Sequence, residues 1–206
     1  MAGEHDRAVS HRQTAPAPAS AWFVRWMVCL GPSASVLDLA CGRGRHAAAA
    51  IARGARVVCA DRDPLALAGL PEGAHAVCVD LEADPWPAQL DPPGGFDAIV
   101  VANYLFRPRL DLLPSRLAAG GLLLYETFGA GNARYGRPAN PDFLLRPGEL
   151  FMLCQRHGLM VLAYESGYVP RAGGGAIVQR IAAVRPPFEP ERFPLEAGGS
   201  AADAVG

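Results

Sequence analysis

The chain has 206 residues, half of them hydrophobic, and a formal net charge of -1 at pH 7, which suits one core of ordinary size and is short for two domains. No long basic run is present, so neither a nucleic-acid backbone nor an anionic membrane is the expected partner, and a small molecule is. All 19 basic residues are arginine; without a lysine amine, phosphate-loop nucleotidases, Schiff-base and pyridoxal enzymes and Tyr-x-x-x-Lys dehydrogenases are excluded.

Residues 1–18 are rich in Pro and Ala, hold no apolar core of signal-peptide length, and are expected to be a disordered tail. "SAWFVRWMVCL" (20–30) reads as an amphipathic helix. The rhythm after it is strand then helix: "SVLDLA" and the Ala-rich "RHAAAAIAR" closed by Gly54; "RVVCAD" and "DPLALAGL", where Asp63 is a natural N-cap and Pro64 suits the first turn. It continues through "HAVCV", through "FDAIVVA" with a helical "LDLLPSRLAA", and through "GLLLYETF" with a helix opened by Pro147 and closed by Gly158. "LMVLAYESGYV" and "IVQRIAAVR" follow with only a short glycine-rich link, which implies an antiparallel pair. The expected fold is α/β: a seven-stranded, mostly parallel sheet with an antiparallel last strand and helices on both faces. One domain is expected over 19–185, with a Pro/Gly/Ala-rich disordered tail over 186–206. Cys29, Cys41, Cys59, Cys78 and Cys154 form no CxxC pair, so reduced thiols in a cytoplasmic protein without a metal site are expected. No run reaches the ~18 apolar residues of a membrane span.

The first strand breaks into "GRGRHA", which satisfies the dinucleotide pattern G-x-G-x-x-[G/A] with Gly42, Gly44 and Ala47, and Asp61 stands about where a ribose acid belongs. Asp38 separates the readings. A carboxylate inside the first strand would repel a pyrophosphate and suits a ligand with an amino group and no phosphate, such as S-adenosylmethionine. Asp80, after the third strand, can accept from an adenine amino group. All three acids fall at carboxyl ends of neighbouring strands, the ligand-binding edge of open α/β sheets.

Over residues 33–185 the chain resembles the class I, Rossmann-like S-adenosylmethionine-dependent methyltransferases. The first motif of that family matches as Asp38-Leu39-Ala40-Cys41-Gly42-Arg43-Gly44, with Ala40 replacing the first glycine. "DLACGRGRH" and "YETFGAGNARYGRPANPDFLLRPGEL" are similar to small bacterial methyltransferases grouped with tellurite-resistance methyltransferases. The resemblance implies S-adenosylmethionine as cofactor, held by Asp38, Ala40, Cys41, Gly42, Gly44, Asp61, Arg62, Asp80, Leu81 and Asn103. It places "GG" (Gly120, Gly121) ahead of the fifth strand, and Asn103 and Tyr104 at the reacting atom.

Glu126 is the best placed candidate base beside Asn103 and Tyr104. "NYLF" lacks the two prolines seen in nucleic-acid amine methyltransferases of this fold, which argues for a small-molecule acceptor. Phe106 and Arg107 can orient it. The long polar and aromatic segment from Glu126 to Asn140 reads as a substrate lid, with Phe128, Asn132 and Tyr135 touching substrate and Gly129, Gly131 and Gly136 as hinges. His46 reads as packing and His157 as a helix-end residue. A monomer or weak homodimer is expected. Two other readings stay open: a nicotinamide- or flavin-binding oxidoreductase, and a noncatalytic S-adenosylmethionine-binding module.

Overall fold

The computed structural model describes residues 18–83, 85–171 and 174–195; the ends at 1–17 and 196–206, expected to be disordered, lie outside the described residues. Seven strands form one sheet: β1 (Ser35–Leu39), β2 (Arg56–Asp61), β3 (Ala74–Cys78), β4 (Phe96–Ala102), β5 (Leu117–Phe128), β6 (Met160–Arg171) and β7 (Gly174–Val184). Their order is β3-β2-β1-β4-β5-β7-β6. The first five pair in parallel, and β7 runs antiparallel between β5 and β6. The expected sheet is therefore the observed one. β1, β4 and most of β5 lie in its centre and are apolar on both faces, whereas the edge strands β3 and β6 are largely exposed.

Helices α1 (Ala21–Met27), α2 (Arg45–Ile51) and α3 (Pro64–Leu67) cover one face. Trp22, Phe23, Trp26, Ala47, Ala50 and Leu67 pack there on Val36, Val57, Val100 and Leu124. The other face carries α4 (Glu149–Arg156), whose Leu150 and Leu153 pack with Leu110 and Leu113 on Leu37, Ile99, Leu123 and Ile181. Asp63 caps α3 as expected, accepting from Leu65 N at 2.9 Å.

Three expectations are corrected. The "LDLLPSRLAA" segment forms no α-helix: it makes 3₁₀ turns at Arg107–Leu112 and Pro114–Arg116, and β5 begins at Leu117. Pro114 lacks the N–H that an α-helix would need there. Gly120 and Gly121 lie inside β5, where the register on β4 jumps from Phe96↔Leu117 to Ala98↔Leu122. A Cβ on Gly121 would stand 2.8 Å from Phe96 O, so the close backbone approach at this kink needs a glycine. Finally, the domain runs past Arg185. Residues 190–192 form a 3₁₀ turn, Phe193 is buried against the α1 face, and Arg25 Nη2 donates to Leu195 O at 2.7 Å. One buried aromatic outweighs the Pro-rich composition of that segment.

The hairpin of β6 and β7 reaches past the carboxyl end of β5. β5 ends with Phe128 opposite Val178, while the β6–β7 ladder continues to Arg171↔Gly174. Its tip therefore overhangs the carboxyl edge of the sheet, where the candidate site lies.

Candidate functional site

β1 and β4 are neighbours, yet the chain leaves them toward opposite sides of the sheet, which creates the crevice where such folds bind ligands. The turn leaving β1 puts three residues in the left-handed region: Ala40 (φ 51), Gly42 (φ 55) and Gly44 (φ 70). The two glycines serve different ends. A Cβ on Gly44 would meet Leu70 Cδ2 at 2.6 Å, so Gly44 lets the turn pack on the segment after α3. A Cβ on Gly42 would meet nothing within 4 Å, so the open side of this residue is a place where a ligand can approach the backbone. Ala40 bears the left-handed strain without a glycine, at roughly 1 kcal/mol. Cys41 is buried, with its thiol near Gly42 O.

Asp38 is 1% exposed. Its Oδ2 accepts from Ala47 N in the first turn of α2 at 3.2 Å, and its Oδ1 is buried with no hydrogen-bond partner among the described residues. Burial pushes its pKa up to about 7, against the pull of the Ala47 amide and of Arg45. A buried carboxylate oxygen without a partner costs free energy, and a donor brought to it recovers that cost. Asp61 ties the turn from the side: its Oδ2 accepts from Gly42 N at 2.8 Å and its Oδ1 from Asp63 N at 3.0 Å. Each oxygen keeps a second lone pair.

Two clefts flank Ala40, enclosing about 500 Å³ and about 690 Å³ of space that is open to solvent. The first is lined by Asp61, Arg62, Asp80, Leu81 and Tyr104, the second by Cys41, Gly42, Arg43, Arg45, His46 and Asn103. The structure thus gathers the expected cofactor residues along one crevice, with Asp38 behind it and Gly44 in its turn. Tyr104 stands in the first cleft, apart from Glu126. Its hydroxyl is buried without a partner among the described residues, and burial, with Glu82 and Asp80 adding, pushes its pKa up to about 12. Phe106 joins Tyr104, Trp86 and Leu110 around an apolar hollow beneath that cleft.

Asn103 (φ 54) leaves β4 in the left-handed region, which Asn tolerates. Its N–H donates to Glu126 O at 2.9 Å, so the ends of β4 and β5 lie side by side. Glu126 is buried, and its Oε2 takes Ser20 Oγ at 3.3 Å and Arg180 Nη1 at 3.5 Å. Ser20 N in turn points to His46 Nε2 at 3.4 Å. Burial, helped by Arg45, lowers the His46 pKa to about 3, so the ring is neutral and poorly basic; it packs tilted against Phe23, with centroids 4.3 Å apart. Ser20, Arg180 and the His46 contact are not legible in the sequence as site features. Ser20 lies 26 residues from His46 and 106 from Glu126, and Arg180 54 from Glu126, so no local spacing signals them.

The segment after β5, expected to be a hinged lid, forms a wall fastened at its two ends and through Asn132. Gly129 N donates to Ile177 O at 2.8 Å, Ala130 N to Leu145 O at 2.9 Å and Leu145 N to Phe128 O at 2.9 Å. Asn132, expected to bind substrate, is 1% exposed and spends its amide inside the protein: Nδ2 donates to Pro138 O at 3.0 Å and Oδ1 accepts from Ile177 N at 3.1 Å. Arg107, also expected at the substrate, is a strap. Its Nε donates to Glu149 Oε1 at 2.7 Å, its Nη1 to Asp142 O at 2.6 Å, and its Nη2 to Leu144 O at 2.7 Å and Glu149 Oε2 at 2.9 Å. Phe128 lies under the Arg171 guanidinium at 5.2 Å, and Tyr135 packs on Tyr168 of the hairpin at 5.1 Å while remaining 44% exposed.

No protein-family model and no curated protein matches the chain. Solved structures do match it. TehB from Haemophilus influenzae superposes with a TM-score of 0.64 at 18% identity, over 80% of this chain and 61% of that one; the chain thus spans less than two thirds of that relative. A TehB-like SAM-dependent methyltransferase from Corynebacterium glutamicum gives 0.55 at 21% identity, over 81% and 89% of the two chains. The N-methyltransferase NodS from Bradyrhizobium japonicum gives 0.61 at 16% identity, over 80% and 92%. The chain has the Rossmann-like fold of these proteins.

Proposed function

We propose that the chain is an S-adenosylmethionine-dependent methyltransferase acting on a small molecule in the cytoplasm. The observation that carries this reading is the Oδ1 of Asp38, buried with no partner among the described residues behind an open-sided glycine turn at the sheet's switch point. A carboxylate held there fits the ammonium of an amino-acid ligand and opposes a pyrophosphate. Arg43 and Arg45, lining the same cleft, suit the ligand's own carboxylate. Asp61 keeps lone pairs for ribose hydroxyls, and Asp80, whose Oδ1 already accepts from Glu82 N at 2.9 Å, keeps an oxygen for an adenine amino group.

When bound, the cofactor supplies an electrophilic methyl group on sulfur. The protein's share of the chemistry is then to orient an acceptor against that carbon and to exclude water. Asn103 and Glu126, at the ends of β4 and β5, face the acceptor side. The wall fastened by Asn132 and Arg107 and the overhanging hairpin give that side a fixed boundary. The same likeness to enzymes described as methyltransferases supports the reading. Among the described residues no helix is long and apolar enough to cross a membrane, and the five cysteines are free thiols, in keeping with a cytoplasmic setting.

Equilibrium dialysis of the purified chain against S-adenosylmethionine and against NAD separates this reading from a nicotinamide oxidoreductase. Retention of S-adenosylmethionine alone is expected; retention of NAD alone overturns the reading.

A further inference from the structure

Beside Asn103, which lines the second cleft, stands one carboxylate, Glu126, whose two oxygens have different fates. Both contacts to Glu126 fall on Oε2: the hydroxyl of Ser20 and Nη1 of Arg180. Oε1 has no partner among the described residues. It is not sealed in the core either: Glu126 is 6% exposed, and its oxygens are not among the buried partnerless atoms. Oε1 is therefore an acceptor that one incoming donor can reach.

The guanidinium beside it is already engaged. Arg180 Nε donates to Glu165 Oε2 at 2.7 Å, Nη2 makes a short bond to the same oxygen, and Nη1 turns to Glu126. Its face lies on the Trp22 ring at 4.9 Å. Arg180 thus offers no forked pair of donors to a ligand. Flanked by Glu126 and Glu165, it forms a group with a formal charge of -1. With Arg43 and Arg45 of the same cleft taken up by the cofactor's own carboxylate in the reading above, an anion brought up to Glu126 would meet a carboxylate whose one contacting guanidinium among the described residues is already paired.

Resting on the methyl-transfer reading above, we propose that the acceptor is a neutral protic nucleophile, X–H with X an oxygen, nitrogen or sulfur, that donates to Glu126 Oε1, and that oxyanions are not accepted. The bond changes balance. A lone pair on X forms the new bond to the methyl carbon, the methyl–sulfur bond breaks with its electron pair left on sulfur, and the proton of X–H passes to Glu126 Oε1. Asn103, tied to Glu126 through its backbone, lies next to the same point and can orient X. His46, held neutral by burial, has no part in removing the proton.

The test uses the full chain, with S-adenosylhomocysteine bound for the binding measurements and with S-adenosylmethionine in its place for turnover. Catechol, aniline and benzyl mercaptan, all neutral near pH 7, are titrated as protic probes, tellurite and selenite as oxyanion probes. Calorimetry reads binding, and radiolabelled S-adenosylmethionine reads methyl transfer. At least one protic probe is expected to bind, about fivefold more weakly to Glu126→Gln, and to be methylated at least about tenfold more slowly by that variant. Affinity for S-adenosylhomocysteine should be unchanged in the variant, which also reports that it is folded. If Glu126→Gln does not fold, Glu126→Asp keeps the charge but withdraws the oxygen, and the same losses are expected. Binding or methylation of an oxyanion, equal handling of the protic probes by wild type and variant, or no protic probe engaged overturns the proposal. Failure of the wild type to bind S-adenosylhomocysteine strikes the methyl-transfer reading itself; binding with any of those three outcomes strikes only the acceptor class.

Discussion

The turn after β1 and the wall after β5 have similar compositions: each is a run of glycines and polar residues at the carboxyl edge of the same sheet. They differ in how their polar groups are used. In the turn, Asp38 Oδ1 has no partner among the described residues and Gly42 opens on free space. In the wall, the amide of Asn132 and all three nitrogens of Arg107 are taken up by the protein's own carbonyls, amides and Glu149. Unused hydrogen-bonding capacity marks a place for a ligand, and fully used capacity marks a fastening. Polar, glycine-rich composition alone does not separate the two.

The largest effect that tests this contrast is on stability. Arg107→Ala removes a bidentate pair and two bonds to loop carbonyls, and leaves Glu149 largely desolvated without its cation. A loss of about 2 to 3 kcal/mol is expected in urea unfolding, with S-adenosylmethionine affinity kept within about twofold. Unchanged stability with a marked loss of affinity would put Arg107 in the binding site and erase the distinction between the two regions.

The turn should respond to pH instead. Burial raises the Asp38 pKa to about 7, whereas in the unfolded chain it ionises near 4. The sign follows from that order: the stability this group contributes to the ligand-free protein is full below about pH 4 and is lost as pH rises through about 7. Ligand binding runs the other way, because an ammonium needs the ionised carboxylate. Affinity for S-adenosylmethionine should therefore rise about fivefold, or about 1 kcal/mol, from pH 6 to pH 7. Asp38→Asn should flatten that rise. Calorimetry across this interval checks it, and a rise that persists in the variant would assign the titration elsewhere.

What residues alone reveal is what local pattern encodes. Continuous apolar runs mark the central strands, the Asp63-Pro64 pair marks the start of α3, and the position of Asp38 inside β1 singles out the turn. The segment over 110–119 misleads because its leucines have helical spacing, while Pro114 and the kink at Gly121 favour 3₁₀ turns and an early strand. Phe193 escapes notice because a single aromatic in a Pro-rich segment carries no periodicity. On the acceptor side, Asn132 and Arg107 look available since their partners, Ile177 and Glu149, stand 45 and 42 residues away. Arg180 and Ser20 are invisible for the same reason. Tertiary partners decide whether a polar side chain serves the fold or a ligand, and such partners leave no local signature.

The central claim is that Asp38 holds the amino-acid end of a methyl donor, and calorimetry on Asp38→Asn tests it most directly with two ligands. S-Adenosylmethionine carries the ammonium; adenosine has the same base and sugar without it. The variant should lose at least about tenfold in affinity for S-adenosylmethionine, about 1.4 kcal/mol, and keep adenosine within about twofold. Equal losses for both ligands, or no loss for either in a folded variant, would contradict the account and leave Asp38 as a cap for α2 and nothing more.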